Sequence, residues 1–202
     1  MSSGTGDLVN DNPMICGGRD TSSWRWRTHS ECYQYNKVTD DWQFVAYMAS
    51  QRFSSASSQV GNNLFVTGGS DQDINPLRTT EFVNPNGTKS SGKPLPLAIV
   101  SHCQLTISTN EVIIIGGTST RQSVIKFNTN TGTHENLPSL NYERWYAGCA
   151  LIKNSPRHNL RPIVLSVGGS YQATAEVLDF TVPTSSWEPS KHVILANSYS
   201  LF

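Results

Sequence analysis

Four short apolar runs, each closed by a pair of glycines, set the rhythm of the chain: Met14-Ile15-Cys16, Leu64 to Thr67, Val112 to Ile115 and Ile163 to Val167. The pairs are Gly17-Gly18, Gly68-Gly69, Gly116-Gly117 and Gly168-Gly169, so they begin at steps of 51, 48 and 52 residues. Runs this short read as strands, and the glycines ending them permit positive φ and close backbone approach. A fixed step then means one supersecondary unit stacked on copies of itself, since one unit alone has nothing to bury its apolar faces against.

Alternation returns after each pair. Cys32 to Asn36, Glu81 to Asn84, Val124 to Asn128 and Val177 to Thr181 read as third strands, with Tyr35, Val83, Phe127 and Phe180 at matching places. Six residues past the ends of these strands stand Trp42 and Trp187 in the outer units, and Ser90 and His134 in the middle two. Met48 precedes Arg52 by four residues and Leu140 precedes Arg144 by the same step, while Ser101 is read at the Arg place between them. Phe53 to Val60, His102 to Ile107 and Trp145 to Ile152 are inner strands, and Lys153 to Arg161 lengthens the last of their turns.

Residues 1–12 are polar and Gly/Ser-rich, with only Leu8 and Val9 to bury, and read as a flexible lead-in rather than a strand. The repeat region is 13–202, with units at about 13–47, 48–94, 95–139 and 140–190 and the start of a further unit at 191–202. By this register the first unit lacks its inner strand and the chain stops inside another, so the expectation is a piece of a longer array, incomplete at both ends.

The ensemble of apolar run, glycine pair, aromatic-Asn strand, Trp six residues on, and Leu/Met-x-x-x-Arg resembles the kelch repeat, over Pro13 to Trp187. The resemblance implies an all-β fold, a kelch-type β-propeller of four-stranded antiparallel blades, with the loops after the second strands and between blades crowding one face. It implies that Tyr35, Val83, Phe127, Phe180, Trp42 and Trp187 fill the gaps between blades. Kelch propellers usually have six or so blades, which agrees with a partial array here.

Charge and composition narrow the partners. Lys plus Arg equals Asp plus Glu at 15 each, so no net field draws the protein to nucleic acid, and no run of about 18 apolar residues is present to insert into a bilayer. Four cysteines lack zinc or redox spacing. Cys16 and Cys32 fall at facing ends of adjacent strands, and Cys103 and Cys149 on inner strands of consecutive blades, so each pair reads as a disulfide or as two small buried thiols. Free thiols would fit the cytoplasm; paired cysteines, with a signal peptide on the parent chain, would fit secretion, where Asn86-Gly87-Thr88 becomes a glycosylation acceptor.

Catalytic signatures are absent from the sequence: there is no G-x-S-x-G, H-E-x-x-H, G-x-G-x-x-G or P-loop, and the five histidines have no metal-ligand spacing. The expectation is therefore a non-catalytic module without metal or cofactor that binds a protein partner. The kelch resemblance also brings two alternatives, a copper-dependent oxidase of the galactose oxidase type, and the substrate-recognition part of a ubiquitin-ligase adaptor. Candidate partner-binding residues lie in the loops after the glycine pairs. Trp24-Arg25-Trp26-Arg27, with Arg19, leads, because Trp and Arg dominate interface hot spots and a loop offers little core to hide them in; folding of the tryptophans onto the blade edge is the other reading. Asp71, Asp73 and Arg78 follow in the second loop, Arg121 in the third and Tyr171 in the fourth.

Overall fold

The computed structural model describes residues 3–20 and 26–194, with side chains as far as residue 190. Four antiparallel four-stranded sheets follow one another along the chain. Strands β1 (Thr5–Val9), β2 (Asn12–Cys16), β5 (Glu31–Asn36) and β6 (Asp41–Tyr47) form the first, with the small hairpin of β3 (Arg19–Asp20) and β4 (Arg27–Thr28) in its long loop. The second holds β7 (Ala56–Val60), β8 (Asn63–Thr67), β9 (Thr80–Val83) and β10 (Lys89–Ser91). The third holds β11 (Cys103–Thr106), β12 (Glu111–Ile115), β13 (Val124–Asn128) and β14 (His134–Asn136), and the fourth β15 (Gly148–Ser155), β16 (Arg161–Val167), β17 (Thr174–Leu178) and β18 (Glu188–Ile194). The first strands of the sheets neighbour one another in the order β1, β7, β11, β15, the arrangement of a four-bladed β-propeller, and no comparable contact joins β15 to β1.

Two expectations about the ends are corrected. Thr5 to Val9 is the inner strand of the first blade, paired with β2 from Thr5↔Cys16 to Val9↔Asn12, not a flexible lead-in. Its polar composition belongs to its position: Thr5 Oγ1 meets Ser57 Oγ at 2.8 Å, the Asp7 carboxylate accepts from the Gln59 N–H at 2.8 Å, and a Cβ at Gly6 would lie 2.5 Å from the Met14 carbonyl. The first blade therefore has all four strands. At the other end Ile194 pairs with Thr174, so 191–194 continue the fourth blade instead of opening a new unit; 195–202 lie outside the described residues.

Each of the first three glycine pairs holds the connection into the following blade. Gly18, Gly69 and Gly117 donate their N–H to the carbonyls of Arg52, Ile99 and Arg144 at 2.8, 2.9 and 2.9 Å. Gly17, Gly68 and Gly116 take φ of 57 to 67°, and a Cβ there would stand 2.2 to 2.5 Å from those same three carbonyls. Such an approach is open only to glycine. These contacts also move one assignment: Ile99, four residues after Leu95, occupies the Arg place, not Ser101.

The blades stack with a direction. The face of the first blade bearing Met14, Cys16 and Cys32 packs on Leu64, Val66 and Val83 of the second. The second blade's Val60 and Phe65 pack on Val112, Ile114 and Phe127 of the third, and the third's Leu105, Ile113 and Ile115 on Val164, Leu178 and Trp187 of the fourth. Every blade thus has a leading face toward its successor and a trailing face toward its predecessor. Val83, Phe127, Phe180 and Trp187 sit in these seams; Tyr35 and Trp42 do not, because they lie on the trailing face of the first blade, which no other described blade adjoins. Their rings meet edge-on at 5.6 Å, and Trp42 is 42% exposed.

Two disulfides fix the array. Cys16–Cys32 joins register partners within the first blade, and Cys103–Cys149 joins the inner strands of the third and fourth.

Candidate functional site

The second strands all end in glycines at the end of the sheets where the interblade connections run, so the loops launched there and those connections share one face. Backbone bonds weave them together: Phe53 and Ser70 exchange two N–H to O bonds, Thr118 donates to Val100 at 2.9 Å and Ser170 to Trp145 at 2.9 Å. Beneath this face two arginines are wholly buried. Arg52 donates to the carbonyls of Gly68 and Thr79 and pairs with Glu81; Arg144 donates to those of Gly168 and Thr174, at 2.6 and 2.8 Å, and pairs with Glu176 at 2.8 Å. Both guanidiniums leave few donors unused, which is what lets a charge sit there.

The residue after each buried arginine is an aromatic, and each aromatic is met by an arginine from a loop. Arg19 lies with its guanidinium carbon 4.6 Å from the Trp26 ring centre and 4.7 Å from that of Phe53. In the other half Arg121 lies 5.3 Å from the Trp145 ring centre, while Tyr171 meets Trp145 edge-on at 5.9 Å. Cation–π contacts of this kind hold flat side chains in place while leaving an edge to solvent. Trp26 is 55% exposed and Tyr171 93%. Arg27 is exposed on the same hairpin as Trp26; Trp24 and Arg25 lie outside the described residues.

The second loop braces the first. The Gln72 side-chain amide donates to the Trp26 carbonyl at 2.6 Å and its oxygen accepts from the Thr28 N–H at 2.6 Å. Asp71 organises its own turn, accepting from the Asn75 side chain and from the Asn75 and Asp73 N–H groups, which together hold its carboxyl below the usual range. Asp73 projects from that turn exposed. Arg78 instead fastens the loop, donating from Nε to the Leu95 carbonyl at 3.0 Å. Arg121 also pairs with Glu143 at 2.9 Å.

His29, nearly buried under the first loop, contacts Asp20 through Nε2 at 2.9 Å and Glu31 through Nδ1 at 3.2 Å. Burial alone would push the Glu31 carboxyl up, but the N–H groups of Glu31 and Ser30 and the neighbouring imidazole hold it below its ordinary value. No group of three or more His, Cys, Asp or Glu side chains among the described residues is placed to hold a metal ion.

The fold has solved counterparts. It is similar to the structure titled "Structure of YjhT", with a TM-score of 0.67 at 14% sequence identity, over 83% of this chain and 58% of that one. The chain thus spans less than two thirds of that protein's length. No family model matches the sequence, and no curated protein matches it.

Sequence reasoning singled out Arg19, Trp26, Arg121 and Tyr171 but missed Phe53, Trp145, Gln72 and Glu143. The signal for the first two was available: Arg52-Phe53 and Arg144-Trp145 are the same dipeptide type at the same place in their units. Gln72 and Glu143 carry no local mark, since their partners come from loops far away in sequence.

Proposed function

We propose that the chain is a kelch-type propeller acting as a non-catalytic protein-interaction module, and that it binds its partner through the loop face. The observation behind this reading is the pair of arginine–aromatic clusters, Arg19/Trp26/Phe53 and Arg121/Trp145/Tyr171, standing on one face at equivalent places. Preordered Trp, Tyr and Arg on rigid blades lose little side-chain freedom on binding, which is how a few residues come to dominate an interface. The loops around them differ in length and charge while the strands beneath repeat, the division of labour of a recognition scaffold. The two disulfides fit a protein that matures in an oxidising compartment.

The test is comparative affinity purification with the whole chain. Trp26→Ala and Tyr171→Ala together should lose the partner that the wild-type chain retains, with an unchanged unfolding midpoint. Retention of that partner by the double variant would place the binding surface elsewhere.

A further inference from the structure

The turn between β9 and β10 carries a residue that its fold does not need. In three of the blades an asparagine at or just after the end of the third strand closes the turn that follows. Asn36 Oδ1 accepts from the Val38 N–H at 2.8 Å, Asn84 Oδ1 from the Asn86 N–H at 3.0 Å and Asn128 Oδ1 from the Asn130 N–H at 3.0 Å. The asparagine that builds the second blade's turn is therefore Asn84, whose Nδ2 also donates to the Asn62 carbonyl at 3.2 Å. Asn86 is additional. It stands exposed at the tip, followed by Gly87 and an exposed Thr88, and Asn86-Gly87-Thr88 is the one Asn-x-Ser/Thr triplet in the sequence. Thr88 turns the Asn86 amide outward: its N–H meets Asn86 Oδ1 at 2.9 Å and its hydroxyl meets the same oxygen at 2.7 Å. A backbone N–H only donates, so the atom it meets is the oxygen, and Nδ2 has no acceptor among the described residues.

We propose that Asn86 carries an N-linked glycan on the end of the blades opposite the loop face. The compartment agrees with it: the four cysteines are all paired, and an oxidising lumen that forms disulfides is where such sugars are added. In the transfer, Asn86 Nδ2 forms a bond to the anomeric carbon of a lipid-pyrophosphate-linked oligosaccharide. That carbon's bond to the pyrophosphate oxygen breaks, the lipid pyrophosphate leaves with the electron pair, and the amide gives up one proton. The Thr88 hydroxyl, two residues on, is the mark the transfer requires. The finished fold accepts the branch without loss, because the turn is closed by backbone bonds that Nδ2 takes no part in: Asn84 N–H to the Thr88 carbonyl at 2.8 Å and Gly87 N–H to the Asn84 carbonyl at 2.9 Å. Strand β9 runs away from Gly68-Gly69 and β10 returns, so this turn and the arginine–aromatic clusters lie at opposite ends of the sheets. A bulky, hydrated sugar there leaves the loop face open to a partner and keeps the far end in solvent. This inference is independent of the loop-face reading.

Mass measurement on the whole chain purified from its source organism, disulfides intact, tests it. The wild-type mass should exceed that of the polypeptide by one glycan and fall back on treatment with a glycan-releasing amidase, which leaves an aspartate at position 86. In heavy-oxygen water that aspartate should take up the label, and without the enzyme it should not. Thr88→Ala and Asn86→Gln, produced in the same cells, should each lack the added mass, whereas Thr88→Ser should keep it. All three change exposed side chains and should match wild type by circular dichroism. A wild-type Asn86 peptide recovered without sugar overturns the proposal. So does an added mass that survives Thr88→Ala, which would put the sugar on another residue.

Discussion

Trp42 and Trp187 occupy the same place in the first and fourth units, yet one is 42% exposed and the other 3%. Trp187 packs on the third blade's Leu105, Ile113 and Ile115 and donates from its indole N–H to the Pro138 carbonyl at 2.8 Å. Trp42 meets the Tyr35 ring edge-on and packs in none of the three blade seams. The repeated pattern specifies a blade; whether its tryptophan becomes core depends on which blade precedes it. Trp187→Ala should therefore cost about 3 to 5 kcal/mol in urea unfolding, the range for truncating a buried large aromatic. Trp42→Ala should cost less than about 1 kcal/mol, as surface changes do. Equal losses would mean that the first blade's trailing face is covered within one chain, and would break the contrast.

The same dependence on neighbours explains what the sequence made legible. The glycine pairs were readable because only glycine fits against the Arg52, Ile99 and Arg144 carbonyls, so the residue type reports the contact. Thr5 to Val9 was not readable, since that strand is held by Thr5–Ser57 and Asp7–Gln59 bonds to the second blade and shows only Thr5 and Val9 to the core. The Arg place was misread at Ser101 because no arginine marks it in the second unit, which takes nine residues from Ser90 to Ile99 where the first and third take ten to Arg52 and Arg144. At the candidate site single arginines and tryptophans were visible, but their meeting was not. Arg19 reaches Phe53, and Arg121 reaches Trp145, across loops whose spacing follows no period.

The contrast extends to how covered junctions are sealed. Two use a buried arginine and carboxylate, and the middle one uses Ile99 and Ile125 at the same places. Arg144→Ala leaves Glu176 buried and unpaired, with a further expected loss of about 3 to 5 kcal/mol. Arg144→Ile with Glu176→Ile, copying the middle junction, should regain most of that loss, since apolar replacements of buried ion pairs are often neutral. The regain should be incomplete, because the Gly168 and Thr174 carbonyls lose their donor. A double variant no more stable than Arg144→Ala would show that the arginine acts through those carbonyls rather than through its charge partner.

The middle junction has its own polar device, and with it a titratable group of its own. His102 is buried, with Nε2 2.8 Å from Thr67 Oγ1, and that hydroxyl donates onward to Gln104 Oε1 at 2.5 Å. The hydroxyl proton being committed to Gln104, the imidazole must donate from Nε2, and its Nδ1 has no partner. Burial pushes its pKa from the ordinary 6.5 to about 3. Between those values the unfolded chain takes up a proton that the folded chain does not, so stability from this group is complete above pH 6.5 and falls as pH drops toward 3. The slope approaches about 1.4 kcal/mol per pH unit, which makes the loss roughly 2 kcal/mol by pH 5. His102→Gln keeps a donor and cannot titrate, so its urea midpoint should change less than that of wild type between neutrality and pH 5. Parallel profiles would show that His102 is already solvated in the folded state, and that the middle seam is looser than the two closed by arginine.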